Sequence, residues 1–177
     1  DGSKLGFISE RSVGRSADVW FVWLKKEDWE KEAQDWQENE LPAESETAKS
    51  KEKKDKTPKP IKIDFDKIYE RVVQVTNFPG NENDLVISKN GETFYYTTSS
   101  SNANGRDLFS IKWDGKDLKE ITKGGANPNA VTMDKEGKYL YYTKQGSLGR
   151  IDTKTSTTEN LPFVSKMKVD YFAERTQ

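Results

Sequence analysis

The sequence predicts an all-β fold, a partial β-propeller of four-stranded antiparallel blades with a charged disordered insertion and one short helix. Three observations predict it. The segment Asn90-Gly91-Glu92-Thr93-Phe94-Tyr95-Tyr96-Thr97 returns as Glu136-Gly137-Lys138-Tyr139-Leu140-Tyr141-Tyr142-Thr143 at a constant offset of 46 positions. Gln74-Val75-Thr76 falls on Glu120-Ile121-Thr122 at the same offset. That period lies within the roughly 40–50 residues of a propeller blade. Finally, apolar and polar residues alternate over short runs separated by Asn-Gly, Asp-Gly and similar turns, the pattern of hairpins.

The first blade is incomplete. Asp1-Gly2 is a turn dipeptide that should follow a strand, and Leu5, Phe7 and Ser9 alternate after it. Ala17 to Leu24 is the next strand, and Asp18-Val19-Trp20 corresponds to Asp107-Leu108-Phe109 in the second blade. Residues 1–24 therefore hold strands two and three of a blade.

Residues 25–60 interrupt it. Trp29, Ala33 and Trp36 are spaced i, i+4, i+7, one face of a short helix expected over Asp28 to Asn39. Its tryptophans either grip a partner or cap the open side of the propeller; capping is the better reading. Leu41 to Pro60 is dense in Glu and Lys with almost no core former, so it cannot bury enough apolar area to offset its ordering entropy. Its lysines are interleaved with acids and lack stacking aromatics, which argues for a solvated tether and against nucleic acid.

Residues 61–82 close the first blade. Ile61 to Asp66 alternates, Asp66 to Glu70 reads as a turn, and Arg71 to Thr76 is the fourth strand. Residues 83–126 form the complete second blade. Asp84 to Ser88 has a continuous apolar centre, expected of a buried innermost strand. Thr93 to Thr98, Asp107 to Trp113 and Leu118 to Thr122 follow, with Ser99 to Arg106 as a loop. Residues 127–162 repeat the plan with strands at Ala130 to Met133, Lys138 to Thr143, Ser147 to Asp152 and Thr157 to Leu161. Residues 163–177 would supply a closing strand, Phe163 to Asp170, and the start of a following region. A closed ring takes about 4 to 8 blades, so this is an arc whose first-blade edge could pair with another copy.

Composition narrows the chemistry. With 32% hydrophobic and 33% charged residues, part of the chain should be solvated. A net charge of −1 gives no general pull toward nucleic acid, and no apolar run is long enough to span a membrane. The chain has no cysteine and no histidine, which removes a thiol nucleophile, a disulfide framework and a Ser-His-Asp triad within it. Asp134-Lys135-Glu136-Gly137 has a superficial likeness to a calcium loop but is better explained as a hairpin turn. Ser165 and Lys166 are adjacent on an expected strand and would point to opposite faces, so they form no dyad. Ser99-Ser100-Ser101 has no base beside it. Tyr95, Tyr96, Tyr141 and Tyr142 could cage a ligand, yet their fixed register favours packing between blades. No catalytic, cofactor-binding or metal-ligating residue is expected in this chain.

Taken together, the residues carry a resemblance. The blades resemble those of TolB-like propellers. The order of the charged tether, then Ile63-Asp64-Phe65, Ile68, Arg71-Val72-Val73, two blades and Val169-Asp170, resembles the propeller region of bacterial tricorn-type serine peptidases. That resemblance covers essentially the whole chain. It implies a scaffold that gates peptide or unfolded protein toward catalytic residues elsewhere in a parent polypeptide, in a bacterial periplasm or cell envelope. A TolB-like propeller that binds proteins without peptidase activity is the alternative. The propeller of a prolyl-oligopeptidase-like enzyme is a third.

Overall fold

Three antiparallel sheets stand side by side in the computed structural model, which describes residues 2–12, 14, 16–31, 60–99 and 104–163. The first sheet has strands β1 (Lys4–Ser9), β2 (Asp18–Trp23) and β3 (Val72–Gln74), in that order. The second has β4 (Asn83–Ile87), β5 (Thr93–Ser99), β6 (Arg106–Lys112) and β7 (Lys119–Glu120). The third has β8 (Asn129–Met133), β9 (Tyr139–Lys144), β10 (Ser147–Asp152) and β11 (Thr158–Leu161). Each full sheet is a meander in which sequence neighbours pair, as a propeller blade requires.

The 46-residue repeat holds down to backbone detail. The β4–β5 register shifts between Asn83 and Val86, and the β8–β9 register shifts between Asn129 and Thr132. Asp84 and Ala130, 46 positions apart, take the left-handed conformation with φ of 51° and 52°. Both fourth strands also stop in the same way. The Val19 carbonyl accepts from the N–H groups of Val75 and Thr76, and the Leu108 carbonyl from those of Ile121 and Thr122. One acceptor then serves two donors, so the ladder cannot continue. This bulge explains why β7 is shorter than the expected Leu118 to Thr122.

Alternation within β5 decides how the blades stack, because successive side chains point to opposite faces. Phe94 and Tyr96 face the first sheet and join Val19, Phe21, Trp23, Val75 and Ile111 in one core. Tyr95 faces the third sheet and joins Leu108, Leu140, Tyr142 and Ile151 in a second. Leu140, Tyr142 and Ile151 thus repeat toward blade two what Phe94, Tyr96 and Ile111 do toward blade one. Full burial of each such side chain contributes about 1.5–3 kcal/mol, so these two layers are the main source of cohesion between blades.

The tether junction is pinned by one buried residue. Arg71 is 1% exposed within a 3-10 turn (Ile68–Arg71), and its guanidinium donates to the carbonyls of Leu24, Asp64 and Asp66. At the start of β1, Lys4 packs its ammonium 4.1 Å from the Trp23 ring centroid and 5.3 Å from that of Trp113.

Two expectations need correction. The helix α1 spans Lys26–Trp29 and ends at Glu30, so it starts two residues before Asp28 and is one turn long. The Asp64 carboxylate, brought back by the chain, accepts the Lys26 N–H at 3.1 Å and fixes that earlier start. Ala33, Trp36 and most of the tether lie outside the described residues, as does Phe163 to Asp170 beyond Phe163. The alternating run Ile61 to Asp66 joins no sheet; Ile61 and Phe65 are exposed, and the segment is held by Asp64 N–H donating to the Leu24 carbonyl. Last, β4 is half-buried along its length, although its apolar centre suggested a buried strand. It is an edge strand of its sheet, with a pairing neighbour on one side only.

Candidate functional site

A single substitution between repeats opens a groove at one end of the junction of blades two and three. In blade two, Tyr96 pairs across the ladder with Phe109, and the rings stack with centroids 6.0 Å apart. In blade three, Tyr142 occupies the position of Tyr96, and the residue across the ladder is Gly149. The Tyr142 ring lies directly over that glycine, where an added Cβ would come within 2.6 Å of it. Aromatic cover of a strand glycine protects the ladder but leaves no second ring above.

The space scales accordingly. Between blades one and two, the cleft lined by Phe78, Pro79, Tyr96, Thr98, Ser99, Phe109 and Leu118 measures about 170 Å³. Between blades two and three the groove measures about 470 Å³. Its walls are Ile121, Thr122, Lys123 and Ala126 from the link between blades, Tyr142, Lys144, Gln145, Ser147 and Gly149 from the β9–β10 hairpin, and Thr158 and Asn160 from β11. The shorter hairpin Lys144-Gln145-Gly146 keeps that end open.

The lining is chemically one-sided. It carries two lysines, several amide and hydroxyl groups, and no carboxylate. Neither Lys123 nor Lys144 has an ion-pair partner among the described residues. Tyr142 is 6% exposed, and burial raises its phenol above the usual value, so it stays a neutral floor and hydrogen-bond donor. Such a site can hold an extended segment with a carboxylate over an apolar or aromatic contact.

Of the residues weighed from sequence, Tyr142 alone lines the groove, and the other described ones fall elsewhere. Tyr95 and Tyr96 are in the two cores, and Tyr141 lies half-buried on the outer face of the third sheet. No tyrosine cage forms among the described residues. Asp134 takes its place in a hairpin turn, accepting from the N–H groups of Lys138 and Tyr139. Among the described residues no group of three or more His, Cys, Asp or Glu is placed to hold a metal ion, and no helix is long and apolar enough to cross a membrane. Ser99 lines the smaller cleft, while Ser100, Ser101, Ser165 and Lys166 lie outside the described residues. Sequence reasoning missed the groove. Its signal, Gly149 standing where Phe109 stands, appears only once the unequal hairpins are aligned by their ladder pairing.

The fold defines a class, a propeller-like module of stacked antiparallel blades. No protein-family model matches the chain, and no curated protein matches it. Solved structures do. TolB from Acinetobacter baumannii superposes with a TM-score of 0.55 at 12% identity, covering 91% of this chain and 30% of that one. A tricorn protease crystal structure gives a TM-score of 0.48 at 18% identity, covering 58% of this chain and 10% of that one. The chain therefore spans less than a third of the length of either structure, and the likeness is one of fold.

Proposed function

We propose that this chain is a non-catalytic propeller segment that binds extended peptide, with the groove between blades two and three as the binding site. The observation that carries this reading is the lining itself: Lys123 and Lys144 flank a tyrosine floor with no opposing carboxylate. An acidic peptide with an apolar anchor complements it. Within a tricorn-like serine peptidase, which the order of tether, Ile63-Asp64-Phe65 and Arg71-Val72-Val73 resembles, the segment would gate peptide toward a catalytic centre in another part of the polypeptide.

A second reading, a TolB-like propeller that binds a protein partner without peptidase activity, is favoured by the superposition on TolB over 91% of the chain. Both readings use the same groove. Fluorescence anisotropy of a labelled, unstructured peptide rich in Asp and Glu tests it. Saturable binding should weaken about tenfold or more in the Lys123→Glu/Lys144→Glu variant and in high salt. Binding that ignores both changes overturns the site. Peptide cleavage by the full-length gene product but not by this chain supports the tricorn-like reading; no cleavage by either supports the TolB-like one.

A further inference from the structure

The clasps that end blades one and two differ at one position, and the difference leaves two carboxyl groups buried together. In blade two, Asp107 accepts from the Thr122 hydroxyl at 2.8 Å, Gly125 N–H at 2.7 Å and Ala126 N–H at 3.0 Å. In blade one, Asp18 and Thr76 occupy the corresponding places, and Val19 N–H donates to Thr76 Oγ1 at 2.8 Å as Leu108 N–H does to Thr122 at 2.9 Å. The counterpart of Gly125, however, is Pro79, which has no N–H to give. Asp18 Oδ2 accepts from Gln74 Nε2 at 3.1 Å, while Oδ1 has no donor among the described residues.

Glu82 stands beside this vacancy. Its backbone N–H donates to the Ala17 carbonyl at 2.7 Å, its side chain is 0% exposed, and neither carboxyl oxygen has a donor among the described residues. The Glu82 N–H bond to Ala17, the residue before Asp18, brings the two buried carboxyl groups to the same junction, each with an oxygen lacking a donor among the described residues. Two ionised carboxylates can only accept, so they hydrogen-bond only if one carries a proton. We propose that Glu82 is held protonated and donates to Asp18 Oδ1, in place of the N–H that Pro79 cannot supply, so that the junction of blades one and two is a pH-sensitive latch.

The electrostatics agree. Burial, then the charge of Asp18, raises Glu82 from 4.5 to about 7. Asp18 is also raised by burial, but the bond from Gln74 and the influence of nearby Ser12 and Ser16 favour its charged form, so Glu82 is the proton carrier. Thr76, just beyond β3, opposes the rise of Glu82 only weakly, and from β5 the buried Tyr96 hydroxyl is kept neutral by burial and by the Glu82 charge. None of these neighbours is a cation. The folded protein binds this proton more tightly than the unfolded chain does. The latch therefore contributes fully below pH 4.5, weakens as pH rises, and is lost above about 7. Beyond that point two buried negative charges oppose each other.

The chain has no histidine, so little else titrates in this window. Urea unfolding followed by tryptophan fluorescence between pH 5 and 8 tests the latch. The wild-type folding constant should fall by up to about tenfold per pH unit until pH 7 and then level. Glu82→Gln, whose amide can still donate to Asp18, should show no such slope. A flat wild-type profile, or an unchanged slope in the variant, overturns the proposal. So does restoration of stability at pH 8 by calcium, which would make the pair a cation site. If the variant does not fold, a carboxyl NMR titration of wild-type Glu82 decides: a midpoint near 7 supports the latch, and one near 4.5 overturns it.

Discussion

The Tyr142 ring covers Gly149 across the β9–β10 ladder, so the groove floor rests on a residue without a side chain. Gly149→Ala would place a methyl against the outer end of that ring, which can move only into the groove. Stability should change by less than ~2 kcal/mol, because the clash is with the mobile end of one side chain. Affinity for acidic peptide should fall several-fold in the same anisotropy titration, because the displaced ring occupies the ligand's space.

Asp107 gathers three donors, the buried Thr122 hydroxyl and the part-buried Gly125 and Ala126 N–H groups, that would otherwise lose this acceptor. Asp107→Ala should cost about 2–4 kcal/mol, since bonds to a charged group are among the stronger ones and their loss strands the partners. Chemical denaturation measures this. Hydrogen exchange should localise the loss to Gly125 and Ala126.

How far these sites could be read from sequence follows from how each is built. The blades were legible because Asn-Gly turns and the Tyr-Tyr-Thr runs recur at one offset, and sheet alternation then assigns each face. The groove was not, because the shorter blade-three hairpin breaks that offset between Phe109 and Gly149. The Asp18–Glu82 latch joins residues on either side of the charged insertion, so no local pattern reports it. The early start of α1 depends on Asp64, again across the insertion.

Lys4 supplies a second pH effect, opposite in sign to that of Glu82. It is 9% exposed among Phe21, Trp23 and Trp113, and burial lowers its pKa to about 8, against the weaker pull of Glu92 and Asp28. The unfolded chain then holds this proton more tightly than the folded one. Stability should rise between pH 8 and about 10, and Lys4→Met should remove that rise. Thermal unfolding of both proteins across that range checks it.

β1 is an edge of the first sheet, and Leu5 on it is 58% exposed. An edge strand with free backbone groups pairs with another strand when one is offered. We expect concentration-dependent self-association through this edge, measured by light scattering. A strict monomer at high concentration would contradict it.

The blades stack so that one face of each sheet meets the next. Leu108 and Leu148 share a ladder position, opposite Thr97 and Thr143. Leu108 is 0% exposed between blades two and three, and Leu148 is 38% exposed on the outer face. Unfolding free energies of Leu108→Ala and Leu148→Ala should differ, with a loss of about 2–4 kcal/mol for the first and under ~1 kcal/mol for the second. Equal losses would mean that the sheets do not stack in this way.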